Sequence, residues 1–456
     1  MTKVPSSFRD PAGFIYRKDN ILYRQVTQQG AGDYDAFMKR LYPALVERGL
    51  IVQHTEVSHE FAYSDDAHQV LRPELIPFIS YPYEWTFEQL KDAALLTLRV
   101  QKIAMKLGFI LKDASAYNIQ FIGTKPIFID TLSFAKYEVG QPWEAYQQFC
   151  QHFLAPLALA SYRDPQLIRL LRNNVDGIAL KIASQLLPWT TRLRPSIQMH
   201  IHFHARLQER SQKGENDATN ERKSKVATKS IENIVSDLQA LVKSLQWTSD
   251  TTPWEDYYEG DSYIDIAFDN KKSLVKRYID EVHPAIVWDL GANAGEFSQL
   301  TNTTTIAWDF DEGAVQRHYQ TLKAQSNETI LPLVQDLMNP SPDIGWMNTE
   351  RDGLLKRAQG TDLVMALALI HHIAIANNVP LASFAEFLSQ IAPHAIVEFV
   401  PKSDAKVQLL LRDRRDIFPD YTQAGFEQAF SIYYDVVHAE NIADSERILY
   451  LLKAKS

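Results

Sequence analysis

Across the second half of the chain, short runs of β-branched and aliphatic residues alternate with segments whose apolar positions return every three or four residues. Ile286–Trp288, Thr303–Trp308, Ile330–Val334, Asp362–Leu369 and Ala395–Val400 read as strands. Several are apolar at consecutive positions, as strands buried on both faces are. A helix around Ala314–Ala324 falls between the second and third runs. This alternation predicts an α/β domain built on a doubly wound, Rossmann-like parallel sheet. The first half is patterned differently. Ala93–Leu107 puts Leu96, Val100, Ile103 and Leu107 on one helical side, and the β runs Ile119–Ile122 and Pro126–Ile129 flank a turn at Gly123. A separate α+β domain is expected there.

Between the halves the pattern stops. From Gln208 to Lys225 only Ala218 is even weakly apolar, and charges of both signs mix with Ser, Thr, Asn and Gly. Such a stretch cannot bury enough surface to offset the entropy of ordering it, and it reads as a linker. A helix follows over Ile231–Leu245, with Ile234, Leu238, Leu241, Val242 and Leu245 on one face. The predicted division is a domain over 1–205, a polar linker over 206–230 and a second domain over 231–456. No internal repeat is present.

Charge and composition narrow the partners. Lys+Arg 47 against Asp+Glu 56 leaves the 456 residues with a net charge of -9. That argues against nucleic acid as a partner and against a chain-wide attraction to anionic membranes, while leaving room for a local basic patch. The single cysteine, Cys150, excludes an internal disulfide framework and a cysteine-based zinc cluster. With no long uncharged run and no apolar leader, the expectation is a cytoplasmic protein without a membrane span. Nothing in the pattern sets the oligomeric state.

Candidate chemistry concentrates at Ala285–Leu300, AIVWDLGANAGEFSQL. A strand ends at Asp289, Gly291–Gly295 makes a tight turn, and Phe297 and Leu300 open a helical period. A strand running through a glycine turn into a helix gathers free N–H groups and the positive helix end, and glycine admits a ligand closely. Asp309 ends the next run twenty positions after Asp289, the interval at which doubly wound folds set an acid on a ribose. Asp311 competes for that role, and Asp336 ends the third run. Asp309 and Asp336 have a second reading as helix N-caps. The turn lacks the G-x-G-x-x-G frame of dinucleotide oxidoreductases.

The order DLGANAG, WDFD, VQD and DLVMALALIHH resembles class I S-adenosylmethionine-dependent methyltransferases. The spelling of HHIAIANNVPL and EFVPKSD…RRDIFPDYT is similar to a bacterial, nodulation-protein-like branch of them. The resemblance spans Trp254–Lys453. It implies S-adenosylmethionine as cofactor, with Asp289, Gly291 and Gly295 cradling the methionine portion and Asn293 standing where many relatives have a middle glycine. Asp309 would bind the ribose hydroxyls, and Asp336 with Leu337 the adenine. His371 and His372 follow the fourth run at its carboxyl end and are the candidate bases; Glu398 is another. The D/N-P-P-Y tetrapeptide of amide- and amino-methylating relatives is absent, which points to O-methylation of a saccharide or small-molecule hydroxyl. A protein or RNA methyltransferase is the alternative. Tyr257, Tyr258 and Tyr263 would cover the cofactor or simply pack. Asp413–Asp416, with Phe418–Tyr421, would contact the acceptor or form a solvated face.

In the first half, Asp113, four residues, Asn118, then a hairpin to Asp130 is similar to the catalytic loop and metal-binding Asp of protein-kinase-like phosphotransferases. The likeness implies Asp113 as base and Asn118 and Asp130 as magnesium ligands; no other metal site is expected. Leu111 stands in place of the usual His and Thr131-Leu132 in place of Phe-Gly. No glycine-rich loop is present, and Arg24 is the stand-in for the phosphate-binding lysine. The implied alternatives are a bifunctional methyltransferase–kinase, a degenerate kinase-like substrate-recognition scaffold, and a non-catalytic partner protein.

Overall fold

The computed structural model describes residues 1–207, 227–248, 265–412 and 414–455. The polar stretch 208–225, Tyr257, Tyr258, Tyr263 and Asp413 lie outside the described residues. The chain forms two compact units, Met1–Thr248 with Asp343–Arg351, and Ser249–Pro342 with Asp352–Ser456.

The first unit opens with a five-stranded antiparallel sheet in the order β1-β2-β3-β5-β4, from β1 (Thr2–Lys3), β2 (Gly13–Lys18), β3 (Ile21–Thr27), β4 (His54–Val57) and β5 (Ala67–Pro73). Helix α1 (Ala31–Val46) connects β3 to β4. Helix α2 (Phe87–Lys106) begins six residues before the apolar period alone suggested, because Thr86 and Gln89 close a reciprocal cap: Gln89 N–H donates to Thr86 Oγ1 at 3.3 Å, and Thr86 N–H to Gln89 Oε1 at 2.9 Å. Leu90, Ala94, Val100 and Ala104 are its buried stripe, while Ile103 and Leu107 are half-buried. Strands β6 (Phe109–Leu111) and β9 (Phe134–Lys136) pair around the hairpin β7 (Ile119–Ile122)–β8 (Lys125–Phe128), whose turn uses Gly123 at φ 55°.

Helix α3 (Thr228–Ser244) buries Ile231, Val235, Leu238 and Val242 and belongs to the first unit. Lys91 on α2 donates to the carbonyl of Leu245 at 2.9 Å. The division expected at residue 231 therefore falls after this helix: its apolar stripe needs a covering surface, and α2 supplies one.

The second unit carries a seven-stranded sheet in the order β12-β11-β10-β13-β14-β16-β15. Strands β10 (Ile286–Leu290), β11 (Thr304–Asp309), β12 (Ile330–Val334), β13 (Leu363–Ala366) and β14 (His394–Phe399) run parallel. Strand β16 (Ile448–Ala454) is antiparallel between β14 and β15 (Tyr434–Asn441). The order reverses direction between β10 and β13, so their carboxyl ends open a crevice at the switch point. Helix α4 (Asp265–Val282) covers the sheet through Tyr278 and Val275, which pack on Val287, Met365, Ile396 and Leu451.

One expected element is missing. No α-helix follows the glycine turn; Ser298–Leu300 is a single 3₁₀ turn. Residues 291–303 cross back to the start of β11 with that 3₁₀ turn as their one helical element. The fourth run is also shorter than expected, because the backbone leaves the sheet after Ala366 and turns through Ala368 at φ 49°. Among the described residues no helix is long and apolar enough to cross a membrane.

Candidate functional site

At the end of β10 the chain turns through Gly291 (φ 75°), Asn293 (φ 51°) and Gly295 (φ 83°). The N–H groups of Gly291 and Ala292 both donate to the Trp308 carbonyl, at 2.8 and 2.9 Å, tying the turn to β11. Asp309 accepts the N–H of Asn293 on Oδ2 at 2.8 Å and that of Asp311 on Oδ1 at 2.9 Å. Asp311 is the cap of helix α5 (Glu312–Ala324), accepting from Ala314 N–H at 3.0 Å. This separates the two acids that competed in the sequence: Asp311 starts a helix, and Asp309 faces a cavity.

That cavity, about 410 Å³, lies at the carboxyl ends of β10–β13. Gly291, Asn293, Asp309, Asp336, Leu337 and His372 line it, with Leu369 and Ile373 on its apolar side. Asp336 accepts the N–H of Met338 at 2.8 Å, which holds the segment after β12 in a tight turn. The exposed aromatic Phe310 and the exposed Met338 complete the rim. Sequence reasoning passed over both. The available signal was a large apolar residue directly after Asp309 and another just after Asp336-Leu337.

Three expected residues do not line the cavity. Gly295 is required by packing rather than by a ligand, since a Cβ there would lie 2.0 Å from the His318 ring. Asp289 is buried and accepts from Ser298 Oγ at 2.6 Å. His371 is fully buried, so of the two candidate bases only His372 reaches the cavity wall.

The electrostatics are uneven. Burial pushes the Asp289 carboxyl up to about 6, helped by the charge of Asp309 and opposed by Ser298 and Lys271. Burial likewise raises Asp309 to about 6, although the N–H groups of Asp311 and Asn293 oppose it. Two adjacent acids whose ionised forms are under-compensated suit a cationic or polyhydroxyl ligand. Burial lowers His372 to about 4, with Lys406 adding to the shift, so the ring is neutral at pH 7 and able to accept a proton.

Other candidates are committed elsewhere. Glu398 is fully buried, with Lys271 at 2.5 Å and Arg447 at 3.1 Å, and Arg447 also bonds Asp404 at 2.7 Å. This makes Glu398 part of a structural ion cluster. Arg414 spends its donors on the carbonyl of Ile375 at 2.5 Å and on Asn378 Oδ1 at 2.7 Å, clamping the segment after His372 rather than facing an anionic acceptor. Asp416 pairs with Lys402 at 2.8 Å.

The first unit has its own cavity of about 530 Å³, and Asp113, Asn118 and Asp130 all line it. Burial raises Asp113 above the ordinary carboxylate range, against the N–H of Ser115 at 2.9 Å. Burial would raise Asp130 too, but the Arg24 guanidinium and the Ser133 hydroxyl outweigh it and hold the group low. Arg24 thus occupies the acid that the kinase resemblance assigns to magnesium. The returning segment Asp343–Arg351 supplies Glu350 and Arg351 to the same wall. Arg9 grips Glu350 through Nε at 2.7 Å and Nη2 at 3.0 Å, and Arg351 lies 4.2 Å over the Tyr117 ring. Among the described residues, no group of three or more His, Cys, Asp or Glu could hold a metal ion.

No protein-family model matches the chain. Against curated proteins, 98% of the chain aligns with 95% of the nodulation protein NoeA of Rhizobium meliloti (strain 1021), at 34% identity. The chain belongs to the NoeA family. Within this NoeA-family chain, solved structures align with a part only. The methyltransferase domain of bacterial CtHen1-C covers 42% of the chain and 100% of that domain, at 19% identity and a TM-score of 0.32. The PH0226 protein from Pyrococcus horikoshii OT3 covers 44% of the chain and 99% of its own length, at 16% identity and a TM-score of 0.31. The bifunctional kinase-methyltransferase WbdD covers 47% of the chain and 45% of its own, at 17% identity and a TM-score of 0.29.

Proposed function

We propose that the second unit is an S-adenosylmethionine-dependent methyltransferase that modifies a hydroxyl of a saccharide or small molecule. The observation that carries this is the crevice at the carboxyl ends of β10–β13, where Asp309 and Asp336 line a cavity of about 410 Å³ beside the buried Asp289. A sulfonium cofactor fits that donor set. Buried acids raised to about 6 are under-compensated when ionised, and a cation would offset their charge. Bound there, the cofactor would contribute an already activated methyl group.

The chain's own residues then have simple tasks. Asp309 would hold the ribose hydroxyls, Asp336 and Leu337 would bracket the adenine, and the Gly291–Asn293 turn would orient the methionine end. Leu369 and Ile373 give the cavity an apolar wall that would help exclude water and align acceptor and methyl. His372, neutral at pH 7, would take the acceptor proton on a ring nitrogen; its depressed basicity makes it a weak but correctly ionised base. Titration calorimetry with S-adenosylmethionine and its demethylated product tests the reading. Asp309→Ala should abolish binding, whereas His372→Ala should keep binding and slow turnover about 10²-fold or more. Unchanged turnover in His372→Ala would remove that residue from the mechanism.

The second reading, a methyltransferase–kinase, is favoured by the convergence of Asp113, Asn118 and Asp130 on one cavity and opposed by the Arg24–Asp130 pair. Magnesium-ATP binding lost in Asp130→Ala supports it. Absence of that binding leaves a scaffold that recognises substrate.

A further inference from the structure

In a chain of net charge -9, Gly177–Leu207 contains no Asp or Glu and carries Lys181, Arg192, Arg194 and Arg206. Three short elements build this region of the first unit: the helix Leu180–Leu186, the 3₁₀ turn Trp189–Leu193, and a helical run from Pro195 to Leu207. Buried His202 holds them together. Its Nδ1 bonds Ser184 Oγ at 2.7 Å and its Nε2 bonds Thr191 Oγ1 at 2.9 Å. Burial lowers the basicity of this ring, and the charges of Arg192 and Arg206 add to the shift.

The inner side is therefore satisfied, and the outer side is not. Trp189 is 72% exposed and Leu193 71%, with Leu186, Met199, Phe203 and Leu207 also exposed. Met199, Phe203 and Leu207 recur at every fourth position and so share one helical face. Six large apolar residues left exposed between Leu186 and Leu207 point to an interaction surface. Along Trp189–Arg194 (WTTRLR), apolar and cationic side chains interleave on one exposed segment. That is the arrangement in which indole and leucine enter the acyl boundary while arginines reach phosphates. A second copy of the chain is a poor occupant, because two-fold pairing would set arginine against arginine.

We propose that this face docks on an anionic phospholipid surface, with Trp189, Leu193 and Phe203 entering the interface and Arg192, Arg194 and Arg206 contacting headgroup phosphates. The face shares no residue with the candidate catalytic cavity, so its test is independent of the methyltransferase reading.

Flotation of the full chain with unilamellar vesicles decides it. Vesicles of phosphatidylcholine with about one third phosphatidylglycerol should bind the protein at least about tenfold more strongly than phosphatidylcholine alone, and added salt should weaken the binding. The double variant Arg192→Glu/Arg194→Glu should fall to the phosphatidylcholine level. Trp189→Ala should lose several-fold in partitioning. Both should melt at the wild-type temperature. Equal binding to the two vesicle types, binding to neither, or wild-type partitioning by the charge-reversal variant would overturn the proposal. So would a dimer, seen by light scattering, that Trp189→Ala dissolves, since the face would then pair two copies.

Discussion

Asp289 and Asp309 carry the pH behaviour of the candidate site. Their ordinary value is 3.8 and burial raises both to about 6. The folded chain therefore binds more protons than the unfolded chain between those values. The pair's contribution to stability is present below about 4 and is lost as pH rises through about 6. Of the two, Asp309 lines the cavity, and a cationic ligand favours its ionised form, so affinity for S-adenosylmethionine should drop about tenfold between pH 7 and pH 5; calorimetry at the two values checks it. A flat profile would detach Asp309 from the ligand. Gly295 makes a different prediction. Its φ is 83°, and a Cβ added there would stand 2.0 Å from the His318 ring, so Gly295→Ala should cost about 2–4 kcal/mol in a thermal or denaturant melt. The GANAG spelling drew attention to both glycines, but only Gly291 faces the cavity. Spacing shows that a turn is tight; it does not show what occupies the space beside it. His371 and His372 were indistinguishable in sequence for the same reason, since adjacent residues share a pattern and differ only in which side of a turn they face.

Among elements, the parallel strands were the most legible. Ile330–Val334 reads as buried at every position and is a strand over those same residues, because a strand covered on both faces is apolar throughout. Strand β15 escaped notice. Tyr434–Asn441 sits at the sheet edge with most side chains exposed, so no apolar run announces it. The helix expected after the glycine turn is absent: the period of Phe297 and Leu300 is realised as a single 3₁₀ turn. The ion cluster that ties α4 to β14 and to Arg447, just before β16, was invisible, as its members Lys271, Glu398 and Arg447 lie far apart in sequence. Lys271→Met removes one cation from the buried Glu398 carboxylate and should destabilise by about 3–5 kcal/mol in urea. A loss below about 1 kcal/mol would show that Arg447 suffices.

At the scale of the molecule, the polar stretch Gln208–Lys225 suggested a boundary that the two units do not follow, since they divide after Thr248, and the chain's second passage through the first unit left no mark in the pattern. Asp343–Arg351 follows β12 in sequence and yet belongs with residues 1–248. No periodicity encodes such a return; Arg9 pairs there with the buried Glu350. Because Arg9 is half exposed, solvent screens part of that pair, and Glu350→Gln should cost about 1–2 kcal/mol. Trypsin should then cut faster at Arg351, and an unchanged digestion pattern would assign the return to other contacts. The first unit's acids also show how far a motif reaches. Asp113, Asn118 and Asp130 line one cavity, while Arg24, distant in sequence, pairs with Asp130. The central claim rests on the second unit's crevice. Titration of the purified full chain with S-adenosylmethionine at pH 7.5 tests it most directly. The account predicts saturable binding that Asp309→Ala weakens by about 100-fold or more; an absence of binding by the wild-type chain, or equal binding by the variant, would contradict it.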